Sequence, residues 1–323
     1  MAKSLTQTAK SQRDELSAVD ENNLDAIARA YAAMYSRMEG DIDALMLAIA
    51  DLDEPTAADI KRLPQYKRLI ANAEKELDKF SIYLETVIGT AATAAIGLGL
   101  AHSEALVNAA GVSFTGLETG AITPLLKYLE SGSPLYNRLS ELTGATVDKV
   151  ITSIIDGVTA GFNPQKIASL VQDAFGGGLT DALRNTRTVQ LWAYRDAARA
   201  NYMSTDGIVS KWIWWAELDD VCCMSCVAQH GTLHDLDEQL DDHYNGRCAA
   251  LPYIEEFGNP AEQTGQEWFD SLTEEQQRSM MGASKHEAYK EGRFEFEKLS
   301  SQQENEVYGT MRTEASLISL LGE

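Results

Sequence analysis

The chain has 323 residues, 44% of them hydrophobic and 8% aromatic, which argues against a disordered chain and leaves ample length to bury a core in two domains or one elongated one. Lys and Arg number 27 against 49 Asp and Glu, a net charge of −22, so most of the surface repels phosphate backbones and a general nucleic-acid binder is disfavoured. The polar opening "MAKSLTQTAKSQRDELSAVDENN" has no apolar segment, so a cleaved export signal is not expected and a reducing compartment is.

Helical periodicity dominates the N-terminal part. Leu24, Ile27, Tyr31, Met34 and Met38 step by three and four, which predicts one face of a helix ended by Gly40. A short helix through "DIDALMLAIADL" follows and stops near Pro55. After Pro64 the stripe Tyr66, Leu69, Ile70, Ala73, Leu77, Phe80, Leu84 and Val87 predicts one long helix reaching Ala110. Its most apolar part, Val87–Ala101, has 15 residues rich in Gly, Ala and Thr, and His102 and Glu104 come directly after. That is too short for a membrane span. A buried helix closely approached by its neighbours is expected, with no stable membrane association.

A second helical group covers Ala121–Ala174. Within it, Asn163 reads as an N-cap, Pro164 as the first helical residue, and Gly176–Gly178 as a stop and hinge. The next predicted helix, Thr180–Tyr202, has two unlike faces. Ala182, Val189, Ala193, Ala197 and Ala200 share one side, while Arg184, Arg187, Arg195 and Arg199 share the other. The alanine side should pack tightly against another helix. The arginine side has two readings: a docking stripe for an acidic partner or DNA phosphates, or a face neutralised by the chain's own carboxylates, Asp196 among them.

In the C-terminal stretch, Thr273 to Gln276 spells a capping box that opens a helix ending at Gly282. The alternating "RFEFEK" near Arg293–Lys298 predicts a short strand. The expected fold is therefore mainly α. A long-helix N-terminal region (1–120) and a helical linker (121–178) precede a small irregular α+β module with a Cys/His cluster (179–258) and a short helical tail (259–323).

That cluster is the most informative segment. All four cysteines and three of the five histidines fall within Val221–Cys248. A metal clip, a disulfide, a nucleophile and a compact apolar knot each explain such crowding, and a reducing compartment disfavours the disulfide. Cys223 and Cys226 are spaced so that one tight turn brings both sulfurs to one ion, and His243 with Cys248 offers a second pair. Cys₃His is an accepted tetrahedral zinc set, so Cys223, Cys226, His243 and Cys248 are the candidate ligands of a structural zinc. Cys222 either replaces Cys223 in a different turn or sits in the core. His230 and His234 are separated by Gly231 and are expected at the surface. Catalytic readings compete: Cys226 with His243 can be drawn as a nucleophile and base. The acidic run "DLDEQLDD" lacks the glycine and closing Glu of a calcium loop. A DNA-reading finger is also a poor fit, because Trp212–Gly246 holds eight acidic residues and no Lys or Arg.

The order Trp214 or Trp215, Asp219, Cys223, Cys226, Gly231, His243, Arg247, Cys248 and Pro252 resembles the signature of the Mu-F-type minor head proteins of tailed bacteriophages. Two departures stand out: Gly246 occupies the place of the first cysteine of that family's Cys-Arg-Cys, and Val189 stands where an upstream Arg-Thr-Glu has its Glu. Downstream, "EWFDSLTEEQQRSMMGASKHEAYKEGRFEFEKL" resembles the tail of phage minor head proteins, and the likeness runs from about Ala145 to the C-terminus. The resemblance implies a virion protein present in few copies inside the head, bound to the portal and acting in assembly or DNA delivery. The implied partners are the portal protein, the major capsid or scaffold protein, and packaged DNA; the implied sites are the host cytoplasm during assembly and the virion interior. No catalytic residue is expected, the alternative being an enzyme or toxin-like effector using Cys226 and His243.

Overall fold

The computed structural model describes residues 2–122, 133, 137, 141–306 and 309–322. Helix dominates, as expected. In chain order the elements are α1 (Ala2–Ala50), α2 (Ala57–Arg62), α3 (Pro64–Ala109), α4 (Thr119–Ile122), α5 (Leu142–Thr159) and α6 (Pro164–Met203). Then come β1 (Lys211–Trp215), α7 (Met224–Gln229), β2 (Leu233–Asp235), β3 (Ala249–Tyr253), α8 (Gly265–Ser271), α9 (Glu274–Met281) and α10 (Ala283–Lys290). A 3₁₀ turn at Phe296–Leu299, β4 (Ser300–Asn305), β5 (Gly309–Glu314) and α11 (Leu317–Leu321) complete the order.

Two predicted helix stops are overridden. Helix α1 runs through Gly40 without a break, because Met38, Ile42 and Leu45 keep the buried stripe in register across it. A glycine costs a helix interior only about 1 kcal/mol, which that packing exceeds. Helix α6 likewise runs through Gly176–Gly178, with Val171, Phe175 and Ala182 buried on either side. Gly178 is a close-approach site rather than a hinge: a Cβ there would lie 2.7 Å from both Thr146 Oγ1 and Tyr31 Oη. The start of α6 is as expected, with Asn163 Oδ1 accepting from Lys166 N–H at 2.9 Å and Pro164 in the first helical position. The Thr273–Gln276 capping box and the stop at Gly282 are also present, Gly282 having φ 82°. The expected strand at Arg293–Lys298 is instead the 3₁₀ turn, and the β-hairpin lies just beyond it. Of the helical group expected over Ala121–Ala174, residues 123–132, 134–136 and 138–140 lie outside the described residues.

The chain packs as two compact units. One comprises Met1–Ala18, Ala92–Lys127 and Gln190–Glu323, and the other Val19–Ala91 and Tyr128–Val189. This differs from the four sequential regions expected, and the boundary anticipated after Gly178 falls inside α6. Nor is the tail a separate element. Phe269, Met281, Phe296 and Leu299 share one apolar cluster with Trp214, Cys226 and Val227.

Strand β1 organises the first unit. It is the centre of an antiparallel sheet of order β2-β1-β3. Successive residues of a strand face opposite sides. Ile213 packs with Leu5, Leu106, Val107 and Tyr202 of the long helices. Trp212 and Trp214 face the cluster that contains the cysteines. The edge strand β3 carries Pro252 opposite Trp212, a position where a proline's missing N–H is tolerated.

The small-residue stretch of α3 is packed as predicted, with Ala91, Ala92, Ala95 and Ile96 buried. It is, however, part of a 46-residue helix that meets the length and composition test for a membrane span, 44% of its most apolar window being buried. Gly99 admits the backbone of α6: a Cβ there would overlap the Tyr194 carbonyl oxygen and lie 3.1 Å from Ala197 Cβ. A Cβ on Gly97, two residues away, would meet nothing within 4 Å. Gly99→Ala should therefore destabilise the protein by about 1–3 kcal/mol, while Gly97→Ala should stabilise it by up to about 1 kcal/mol. Denaturant unfolding of the two variants checks the opposite signs.

Candidate metal centre

The cysteine turn is built by local chemistry. Cys223 is the N-cap of α7, extended at φ −72° and ψ 152°, and its sulfur accepts from the Cys226 N–H at 3.4 Å. A cap of this kind turns the two cysteine side chains to the same side of the helix start. His243 Nε2 lies 3.1 Å from Cys223 Sγ and 3.4 Å from Cys226 Sγ. Its Nδ1 is 2.8 Å from the Tyr244 carbonyl oxygen, which can only accept. Nδ1 therefore carries a proton, and Nε2 is directed at the sulfurs.

Two triads of donor atoms result, each with its members within 4.8 Å of one another. They are Cys223, Cys226 and His243, and Cys226, Asp242 and Cys248. The four expected ligands are thus brought into one cluster, with Cys226 shared between the triads, and the cluster could hold a metal ion. Cys222 is buried outside it, its thiol 3.8 Å from the Cys223 carbonyl, which settles its place as a core residue.

Asp242 is the member that sequence reasoning missed. Its side chain is fully buried. One oxygen accepts from His243 N–H at 2.8 Å and lies 3.3 Å from Cys226 Sγ. The other accepts from Arg195 at 3.1 Å and from Cys248 N–H at 3.4 Å. The signal was the glycine four residues on. A Cβ at Gly246 would overlap the Asp242 carboxylate, so a cysteine there and Asp242 in this position exclude each other.

The electrostatics follow from the contacts. A hydrogen bond from the Cys226 thiol and contact with His243 bring the Cys223 thiol down to about 5, against the effect of burial. Bonding to Cys223 raises His243 to about 9. Cys226 is pushed up, first by donating to Cys223, and Cys248 is pushed up by burial. The buried Trp214 Nε1–H makes no hydrogen bond of normal geometry, but its dipole favours the Cys248 thiolate.

Other signature residues frame the cluster. Arg247 makes a bidentate pair with Asp219, 2.7 Å on each arm, which ties the loop before Cys248 to the turn before Cys222. Arg312 of β5 bonds Asp241 at 2.9 Å, and Asn305 bonds the Tyr244 hydroxyl at 2.8 Å, so the C-terminal hairpin grips the His243 loop.

The arginine stripe is engaged within the chain. Arg184 pairs with Asp181 at 3.4 Å, Arg187 with Asp20 at 3.1 Å and Arg199 with Asp196 at 3.6 Å. Arg195 is only 6% exposed and binds Asp242. Its neutralising reading is the one that the geometry matches, Asp196 included.

His230 and His234 are not at the surface as expected. His234 stacks on Trp212 with ring centroids 4.3 Å apart. His230 is buried, with Nδ1 3.1 Å from both the nitrogen and the oxygen of Ala216. It also lines a cavity of about 310 Å³ with Lys10, Arg13, Trp215, Glu217 and Trp268.

No protein-family model, curated protein or solved structure matches this chain.

Burial lowers His230 to about 4, so the fold favours its neutral form. As pH falls below the unfolded value of about 6.5, the unfolded chain takes up the proton first, and stability is lost down to the folded value. Up to about 3 kcal/mol should disappear across that window. Denaturant midpoints of the protein and of His230→Asn, compared from pH 7 to pH 4, check this. A constant difference between the two would contradict it.

Proposed function

We propose that the protein is a minor head protein of a tailed bacteriophage, seated at the portal inside the head, with a structural zinc held by Cys223, Cys226, His243 and Cys248. The observation that carries this reading is that the residues of the resemblance have connected roles in a single module. Trp214 underlies the cysteines, Asp219 and Arg247 pair, and Gly231 turns the chain with φ 84° between α7 and β2. Pro252 sits on the edge strand.

Zinc is the ion that the donors suit. Three thiolates and an imidazole are soft to borderline ligands, which select zinc over magnesium or calcium. A structural zinc contributes on the order of 10 kcal/mol of folding free energy to its module. The acidic surface and the internally paired arginines favour contact with proteins of the head rather than general attraction to DNA. The portal is the first partner, and the major capsid or scaffold protein the next.

A second reading, a reactive Cys–His pair, has one observation in its favour. Cys223, rather than Cys226, is the thiol closer to His243. A zinc ion on these atoms would occupy the imidazole nitrogen that a Cys–His pair needs as its base.

Elemental analysis should find one zinc per chain, and a chelator or Cys226→Ser should loosen the Cys223–Cys226 turn and His243 while leaving the N-terminal helices folded. Protein without stoichiometric metal, whose Cys223 is alkylated at once, would favour the reactive pair. Mass spectrometry of purified virions and of DNA-emptied ghosts tests the setting. The chain should be present in few copies and should co-purify with the portal; its absence from particles would refute the head-protein reading.

A further inference from the structure

We propose that Arg195 is a positioning residue that pre-forms the Asp242–Cys248 half of the metal site before any ion arrives. This rests on the metal reading above. The guanidinium lies under the loop and holds three of its residues at once. Nε and Nη2 donate to the Cys248 carbonyl at 3.1 and 2.7 Å, and Nη2 also reaches the Gly246 carbonyl at 2.9 Å and Asp242 Oδ2 at 3.1 Å. A guanidinium presents its N–H groups in a rigid planar fork, so fixing one fixes the others.

The fork is carried by α6, a 40-residue helix, rather than by a loop. Sites mounted on rigid elements keep their geometry without the ligand. Asp242 passes the constraint onward, because its second oxygen takes the His243 N–H at 2.8 Å and so sets where the imidazole begins. Gly246 is the condition for this arrangement, since any Cβ there would displace the carboxylate. Charge supports the same assignment. The Asp242 side chain is fully buried and that of Arg195 6% exposed, and a buried carboxylate beside thiolates needs a cation of its own.

Hydrogen exchange on the metal-stripped full chain tests this without a substitution. The Gly246 and Cys248 amides, bonded to the His243 carbonyl and to Asp242, should be protected in the metal-stripped chain and gain little more when zinc is added. If Gly246 and Cys248 exchange freely until zinc is added, the positioning role is overturned.

Cobalt(II) titration supplies the second arm. Arg195→Lys keeps the charge but loses the fork, and should bind cobalt about 10–100-fold more weakly with the same thiolate-to-cobalt absorption. Should that variant fail to fold, the exchange measurement on the unaltered chain decides the matter alone. Affinity equal to that of the unaltered chain in a folded variant would overturn the proposal. If the unaltered chain takes up neither zinc nor cobalt, the metal reading itself falls, and this one with it.

Discussion

Strand β1 must satisfy two apolar layers at once, and the arrangement of the Cys/His cluster depends on its doing so. Its inward face, through Ile213, belongs to the helical core formed with Leu106, Val107 and Tyr202. Its outward face, through Trp212 and Trp214, is the floor of the cysteine cluster. A shift of one residue in register would exchange the two faces and take both indoles away from the cysteines into the core that Ile213 now fills. The pairing with β3 over five residues, Lys211–Trp215 against Ala249–Tyr253, holds that register. Cys248 lies immediately before β3, so the register of the sheet also fixes where the last thiol enters the site.

The remaining ligands are delivered from other directions, each by a short polar linkage. The N-cap geometry of Cys223 sets the Cys-x-x-Cys turn. Arg195 holds the loop between Asp242 and Cys248 from the helical side, and Arg247 holds it to the turn at Asp219. Arg312 and Asn305 hold it from the C-terminal hairpin. The tail thus completes the module instead of trailing from it. This accounts for the shared apolar cluster that joins Phe269 and Phe296 to Trp214 and Cys226.

Much of this was readable from residue patterns, and the failures have physical causes. Pro64, Asn163 with Pro164, and Thr273 with Gln276 announced helix starts because capping is local chemistry, complete within one turn. Gly40 and Gly176–Gly178 misled because a glycine's modest helix penalty is outweighed by packing that only the folded chain reveals. The hairpin β4–β5, "SSQQEN" and "GTMRTE", has no apolar alternation to betray it. The four members proposed as metal ligands, Cys223, Cys226, His243 and Cys248, were legible from their types and spacing. Asp242 was not, hidden in a run of carboxylates that was read only against a calcium loop, and the role of Arg195 was not, hidden in a stripe of arginines. Which member of a charged run is buried depends on the opposite charge that meets it in space, and neither run contains that partner.

Once its thiols are deprotonated, the donor set demands a positive charge at its centre. Cys223, Cys226 and Cys248 converge with Asp242, and the Arg195 charge serves the carboxylate and, in part, the Cys248 sulfur. Without an ion, the demand falls on His243, whose contact with Cys223 raises it to about 9 and brings the thiol down to about 5, leaving an imidazolium beside a thiolate. A divalent cation on the same atoms meets the demand more fully, because it serves several thiolates at once and returns the imidazole to its neutral, coordinating form. The Cys223–His243 ion pair and a metal-bound cluster would then be one arrangement filled in two ways, by a proton or by a metal ion. What looks like a reactive pair in the metal-free chain is also what a vacant thiolate–imidazole site must look like when its cation is a proton.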